Sequence, residues 1–172
     1  NVAAGDTVRV QPGYYPEVVD WSAYCQSGEP DNRITVLAEG AVTNRGWYFQ
    51  NRSNITVQGF TVTGEGLRYA ASGLFQIRAQ ADGIHLISNT VAHAESVPMG
   101  WGYGVYFVQT GTTALNPSNC VVRANRFLNF KKHALVIGGQ GHLVESNYFS
   151  APYGYDAIMV LSCNTVVRRN EF

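Results

Sequence analysis

The sequence predicts an all-β protein whose single chain winds into a parallel β-helix, or β-solenoid, of about six coils. Two observations predict this fold. Five nine-residue segments align without gaps, and a short apolar segment precedes each of them. The apolar runs between turn signals last only three to five residues and are rich in Val, Ile, Phe and Tyr, which favours short strands over helices.

The five aligned segments share their apolar positions and a recurring asparagine. They occupy residues 54–62, 83–91, 119–127, 141–149 and 164–172. One column of the alignment consists of Phe60, Asn89, Asn125, Asn147 and Asn170. From Asn125 to Asn147 and from Asn147 to Asn170 the spacings are 22 and 23 residues, which is close to the minimum for one coil. The longer spacings predict loop insertions between coils.

In-register stacking explains why the same residue type recurs in each column. Two apolar columns are expected in the interior, and burying each side chain is worth ~1.5–3 kcal/mol. They consist of Val57, Leu86, Val122, Val144 and Val167, and of Val62, Val91, Phe127, Phe149 and Phe172. Asparagine tolerates the left-handed backbone of a sharp bend, and its amide can bond the equivalent amide of the next coil. The asparagine column therefore predicts a ladder.

The second strand of each coil is predicted just before each aligned segment. These strands are expected at residues 47–50, 74–77, 105–108, 134–137 and 157–160. The N-terminal region fits the same scheme, with strands at 7–10, 17–19 and 34–38. The repeat therefore predicts one domain over residues 1–172, as a portion of a longer solenoid.

Composition and charge exclude several classes of protein. The chain has 172 residues, with 12 Lys and Arg balancing 12 Asp and Glu, so the formal net charge is zero. This removes the basic footprint expected of a nucleic-acid binder. Charged residues make up only 14% and aromatic residues 12%, which argues against disorder. No apolar run approaches the roughly 18 residues of a membrane helix, so we expect no membrane span.

Several motifs resemble the right-handed parallel β-helix (pectate lyase-like) superfamily, most closely its alginate lyase/chondroitinase B family. Residues 5–17 resemble the entry coil of these proteins, and residues 144–149 and 166–172 resemble their asparagine-ended strands. The resemblance covers nearly the whole chain. It implies a right-handed helix, an extracellular or cell-surface location, polysaccharide as the partner, and calcium as a cofactor of that family.

The chain departs from the family at its catalytic motif. The family has acidic calcium ligands followed by Asn-Lys-Ser with a catalytic lysine, whereas the nearest segment here, 156–164, has no lysine and one carboxylate. The sequence therefore identifies no metal ligands. We expect an extracellular polysaccharide-interacting protein, either a lyase-like enzyme acting on acidic glycans or a non-catalytic structural or glycan-binding module of a surface assembly.

The candidate catalytic residues lie at the entry of the last coils. A lyase needs a base to abstract a proton next to a carboxylate, and Lys132, His133 and Tyr155 are candidates. The alignment stacks His133 on Asp156, so the two side chains should touch. The alternative is a hydrogen-bonded surface pair at a turn. A hydrolase would instead need two carboxylates, for which Asp156 and Glu95 are the only plausible pair, so a lyase is favoured.

Aromatic side chains supply the candidate binding surface. Tyr48, Phe75 and Tyr106 align on the first strand of successive coils, where both faces of the strand read as apolar. Further aromatic residues lie in the neighbouring loops and turns, namely Trp101, Tyr103 and Tyr153. The outer face could be covered by loops, by another chain, or by a sugar that stacks on these rings. The open C-terminal coil also predicts self-association or continuation into further sequence.

Three cysteines are too few and too scattered for a disulfide framework. Cys120 and Cys163 belong to coils that are two apart, which exceeds the usual span of a disulfide. Both are expected to be free, buried thiols.

Overall fold

The computed structural model describes residues 2–22, 25–64, 73–92, 103–109, 116–130, 133–150 and 155–172. Within these ranges the protein is all-β, and its strand pairs are parallel. No helix in these ranges is long and apolar enough to span a bilayer. The strands form two sheets, and the apolar core lies between them.

The first sheet has seven strands in the order β1-β3-β5-β8-β11-β14-β17. Their bounds are β1 (Thr7–Val10), β3 (Ile34–Ala38), β5 (Ile55–Gln58), β8 (His85–Ile87), β11 (Val121–Arg123), β14 (Leu143–Glu145) and β17 (Val166–Arg168). Buried and more exposed residues alternate along most of these strands, as in Ile55–Gln58, because one face covers the core.

The second sheet is a curled half-barrel whose strand order is β15-β12-β9-β6-β4-β7-β10-β13-β16. An additional strand, β2, pairs with β4. The bounds are β2 (Gly13–Trp21), β4 (Val42–Gln50), β6 (Thr61–Val62), β7 (Phe75–Arg78), β9 (Thr90–Ala92), β10 (Val105–Phe107), β12 (Arg126–Leu128), β13 (Leu135–Ile137), β15 (Tyr148–Phe149) and β16 (Ile158–Val160).

The predicted single-stranded right-handed parallel β-helix is wrong, because β4 joins two runs of strands into one sheet. The first part of β4 pairs with β6, through Thr43 and Asn44, while its last part pairs with β7, from Trp47 to Gln50. Both β2 and β4 are nine residues long, where the sequence predicted only 17–19 and 47–50. Polar residues such as Thr43, Asn44 and Arg45 hid this continuity, because they interrupt the apolar pattern within a strand that backbone hydrogen bonds hold together.

The in-register stacking of equivalent residues is confirmed. Val57 pairs with Leu86, Leu86 with Val122, and the column continues through Val144 to Val167. In the second column the rings of Phe127 and Phe149 are stacked with centroids 4.7 Å apart. The sequence therefore predicted the neighbours within these two columns, although it did not predict how the strands divide between two sheets.

The asparagine ladder is also confirmed, and it is built from side-chain and backbone bonds together. The Asn125 amide nitrogen donates to the Leu86 carbonyl at 2.9 Å and to Asn147 Oδ1 at 3.0 Å. In turn Asn125 Oδ1 accepts from the backbone N–H of Asn89 at 2.9 Å and from its side-chain amide at 3.1 Å. Asn147 makes the equivalent bonds with Asn170. Each buried amide is thereby fully paired.

The left-handed backbone lies one residue before the ladder, which corrects the prediction that the asparagines themselves adopt it. The preceding residues have positive φ angles, such as 53° at Ser88 and 56° at Ala124. The asparagines and glycines that open the aligned segments do adopt this conformation, as at Asn54 (φ 56°) and Gly83 (φ 59°). Asparagine and glycine suit that bend because the left-handed backbone causes less steric strain for them than for other residues.

We predict that Asn125→Ala destabilises the protein by about 3 kcal/mol, because the loss leaves the Leu86 carbonyl and the Asn89 N–H buried without partners. Asn170→Ala, at the half-buried end of the ladder, should cost about 1 kcal/mol. Urea unfolding followed by circular dichroism measures both values. Equal losses at the two positions would contradict a ladder whose interior members carry most of the stabilisation.

Candidate functional site

A row of aligned side chains on the outer face of the half-barrel forms a candidate surface for a ligand. The row runs across β2, β4, β7 and β10, because Asp20 pairs with Tyr48, Tyr48 with Gln76, and Gln76 with Tyr106. Asp20 is exposed, and the other three side chains are half-buried. The next outward residue, Val136, is only 3% exposed, so the chain itself covers the face beyond Tyr106.

A cleft of about 630 Å³ opens at the β2 end of this row. It is lined by Val18, Asp20, Ser22, Tyr48, Gln50, Asn51 and Gln76. The Tyr48 hydroxyl donates to Gln50 Oε1, and the guanidinium carbon of Arg78 lies 5.4 Å from the centroid of the Tyr48 ring. These contacts hold the tyrosine ring in place on a strand of a sheet, which is a rigid position for a binding residue.

Phe75 does not belong to this surface, which corrects its prediction as a binding residue. Its side chain is 0% exposed, and its ring lies 6.3 Å from that of Trp47 in the core. The residue that aligns with Tyr48 and Tyr106 is Gln76. The sequence alignment was one residue out of register at β7, and a slip of one residue moves every side chain to the other face of a strand.

A cluster of aromatic rings lies beside the other end of the row. The Tyr103 ring is 4.9 Å from that of Tyr106 and is stacked at 5.9 Å on the imidazole of His133. The Tyr155 ring lies 5.4 Å from the imidazole on another side. The structure therefore brings together four of the predicted site residues, of which Tyr155 is the most accessible at 59% exposed.

The predicted contact between His133 and Asp156 is present. His133 Nδ1 lies 3.2 Å from the backbone carbonyl of Asp156 and 3.8 Å from its Oδ2. Because a carbonyl only accepts, this contact favours the tautomer with the proton on Nδ1 and leaves the lone pair on Nε2. The carboxylate is 76% exposed but the imidazole only 10%, so the imidazole is covered by the rings around it.

Three of the predicted site residues lie outside the described residues, namely Lys132, Trp101 and Tyr153. Glu95, the carboxylate that a hydrolase would pair with Asp156, lies outside them as well. The pairing of Asp156 with Glu95 therefore stays a prediction.

The calcium site of the family that the motifs resemble has no counterpart in the described part of the chain. Within it, no three His, Cys, Asp or Glu side chains lie close enough together to hold a metal ion. Asp20, in the outer row, lies on β2, and Asp156 lies just before β16.

Two histidines outside this surface have structural roles. His142 accepts the backbone N–H of Cys120 at Nδ1 (3.2 Å), and its Nε2 lies 2.9 Å from the Gly138 carbonyl. Burial lowers the pKa of His142 to about 4. Burial, with help from Arg33 and Arg123, also lowers the pKa of His85 to about 4. Neutral histidines with both nitrogens paired, as in His142, stabilise the fold and do not suit proton transfer near neutral pH.

The cysteines of the structure are free thiols, as expected, but only one is buried. Burial raises the pKa of the Cys120 thiol to about 12, which makes it unreactive. Cys163 is exposed, which corrects the prediction that it is buried, because no further described strand stacks on β16 or β17, the strands on either side of it.

Sequence reasoning missed most of the polar residues that line the cleft. Asp20 and Ser22 lie together at the end of β2 and Gln76 lies on β7, and no motif connects the two segments. The signal that could have found Gln76 was the alternation along residues 75–78, where buried Phe75 and Ile77 flank it.

Comparison with known proteins gives no match, since no protein-family model, no curated protein and no solved structure is similar to the chain. The resemblance described above therefore depends on the sequence motifs alone.

We predict that the protein loses stability as the pH falls from about 6.5 to about 4, in part because of His142. The unfolded histidine takes up a proton below about 6.5, whereas the folded one resists protonation until about 4. A difference of this size corresponds to about 3 kcal/mol at the lower end. The free energy of urea unfolding, measured against pH for the wild type and for His142→Asn, tests this. Identical pH profiles for the two proteins would show that His142 makes no such contribution.

Proposed function

We propose that the protein binds polysaccharide along the outer row of the half-barrel, from the cleft at Asp20 to the ring of Tyr106. The observation that carries the proposal is the in-register row Asp20, Tyr48, Gln76 and Tyr106, which alternates polar groups with aromatic rings on an open face. Aromatic faces carry partial negative charge and attract the C–H groups of a sugar ring, while amides and carboxylates bond its hydroxyls.

The spacing of the row suits a linear ligand. Tyr48 and Tyr106 are two strands apart, which places them about 10 Å from each other at the usual strand separation. Two rings at this distance can contact two units of one extended chain. A protein with this partner would act outside the cell or on its surface, so we propose an extracellular or cell-surface location.

Binding is favoured over catalysis because the only described imidazole in the cluster is covered. His133 would have to present Nε2 to a substrate, and its side chain is 10% exposed between Tyr103 and Tyr155. A general base must come within hydrogen-bond reach of the proton that it takes. The row of Tyr48, Gln76 and Tyr106 needs no such rearrangement to contact a ligand.

We predict that Tyr48→Ala and Tyr106→Ala each weaken binding to a polysaccharide about tenfold, which corresponds to about 1.4 kcal/mol for the lost ring contact. Isothermal titration against soluble polysaccharides, both neutral and acidic, measures the effect.

Tyr148→Ala is the matched control. Tyr148 also points outward from a strand, and Arg126 lies 5.8 Å over its ring, but it lies on β15 at the opposite end of the sheet. Its loss should leave affinity unchanged. The proposal fails if no polysaccharide binds, or if the three variants weaken binding equally.

A second candidate function is a lyase that acts on acidic glycans, and one observation favours it. His133 Nδ1 is bonded to the Asp156 carbonyl, with the carboxylate nearby, which orients the ring and leaves Nε2 as the basic nitrogen. The exposed Tyr155 adjoins it. In such a reaction the base would remove the proton next to the sugar carboxylate, and the glycosidic oxygen would leave to give an unsaturated sugar. Lys132 and Tyr155 are the other proposed bases.

If the protein is a lyase, incubation with alginate, pectate or chondroitin, with and without calcium, should produce the ultraviolet absorbance of unsaturated sugars. His133→Ala should then abolish the activity, and Tyr155→Phe should lower it at least about tenfold, as expected on loss of an acid or base. Tyr148→Phe, which removes a hydroxyl elsewhere, should have no effect. Absence of product on all three substrates would exclude the lyase and leave the binding proposal standing.

A further inference from the structure

The cleft beside Tyr48 has a distinctive chemical lining. Its polar groups are the hydroxyl of Ser22 and the amides of Gln50, Asn51 and Gln76, together with the carboxylate of Asp20. Amides and hydroxyls offer both donors and acceptors, which is what the hydroxyl groups of a sugar require. Among the described residues that line the cleft, Asp20 is the charged one, and its charge is negative.

Two cations lie beside the cleft without lining it. The guanidinium carbon of Arg78 lies 5.4 Å from the centroid of the Tyr48 ring, and Arg52 Nη1 donates to the backbone carbonyl of Asn51 at 2.7 Å. A guanidinium over an aromatic ring is attracted to that ring and is oriented by it. Neither guanidinium lines the cleft, so the charged group on its lining is the carboxylate of Asp20.

We infer that this cleft selects a neutral, hydroxyl-rich sugar unit and discriminates against uronate or sulfated units. The inference rests on the proposed function, since it names the class of sugar that the polysaccharide-binding row accepts at its β2 end. A neutral sugar stacks on Tyr48 and bonds the amides and Asp20 through its hydroxyls. A carboxylate or sulfate on the same unit would face Asp20 at close range, and juxtaposed like charges oppose binding.

The test compares neutral and acidic oligosaccharides of matched length, for example xylan and glucan fragments against alginate and polygalacturonate fragments. Dissociation constants are measured at low and at high salt for the wild type, for Asp20→Asn and for Asp31→Asn. Asp31→Asn is the control, because it changes net charge equally and Asp31 is exposed but does not line the cleft. Thermal unfolding of each variant confirms that it is folded.

The wild type should bind neutral fragments about tenfold more tightly than acidic ones at low salt, the discrimination that one unfavourable charge contact supplies. High salt should narrow the difference, because exposed charges are screened. Asp20→Asn should bind the acidic fragments more tightly and so reduce the difference in affinity between neutral and acidic fragments. Asp31→Asn should leave that difference unchanged.

The possible outcomes distinguish failure of this inference from failure of the proposed polysaccharide binding. Acidic fragments that bind as tightly as neutral ones would overturn the inference and leave polysaccharide binding intact. The inference also fails if Asp31→Asn narrows the difference as much as Asp20→Asn, because the effect would then come from net charge and not from the cleft. Absence of binding to every fragment would overturn both.

Discussion

The register between successive parallel strands is the constraint on which the rest of the structure depends. Each ladder asparagine bonds both to the backbone of one neighbouring segment and to the side chain of another, so a segment that slipped by one residue would leave several buried amides unpaired. The same register places Phe127 on Phe149 and Val122 on Val144. Hydrogen bonding and apolar packing thus specify the same register, and a shift of register would disrupt both kinds of interaction at once.

This constraint explains which parts of the fold were predictable from sequence. The asparagine column recurs along the sequence, so the sequence alone predicts that Asn89 contacts Asn125 and that Asn125 contacts Asn147. No repeated sequence pattern indicates which strands belong to the same sheet. It depends on β4 remaining one strand from Val42 to Gln50, so that β6 and β7 both pair with it. Backbone hydrogen bonds hold this long strand together, and they do not require a periodic pattern of side chains in the sequence.

The candidate site shows the same division on a smaller scale. The contact of His133 with Asp156 was predictable, because both residues lie at equivalent positions before neighbouring strands. The alignment of Phe75 with Tyr48 was wrong by a single position, since the strand at β7 has apolar residues at both Leu74 and Phe75 and either can be aligned with Trp47. No asparagine or glycine column fixes the frame of this strand. The cleft residues around Asp20 could not be found, because β2 lies outside the repeats.

The scaffold and the proposed ligand are related by their periodicity. A stack of strands presents its outward residues at one regular interval, and the bonds that maintain the interval run through the buried ladder and the sheet backbone. A polymer of sugars also presents its groups at a regular interval. A rigid row can therefore contact several units with little loss of conformational entropy in the protein. Tyr48 and Tyr106 gain their separation from β7, which lies between them and contributes Gln76. The constraint that holds the core in register therefore also determines the spacing of the surface that we propose to bind the glycan.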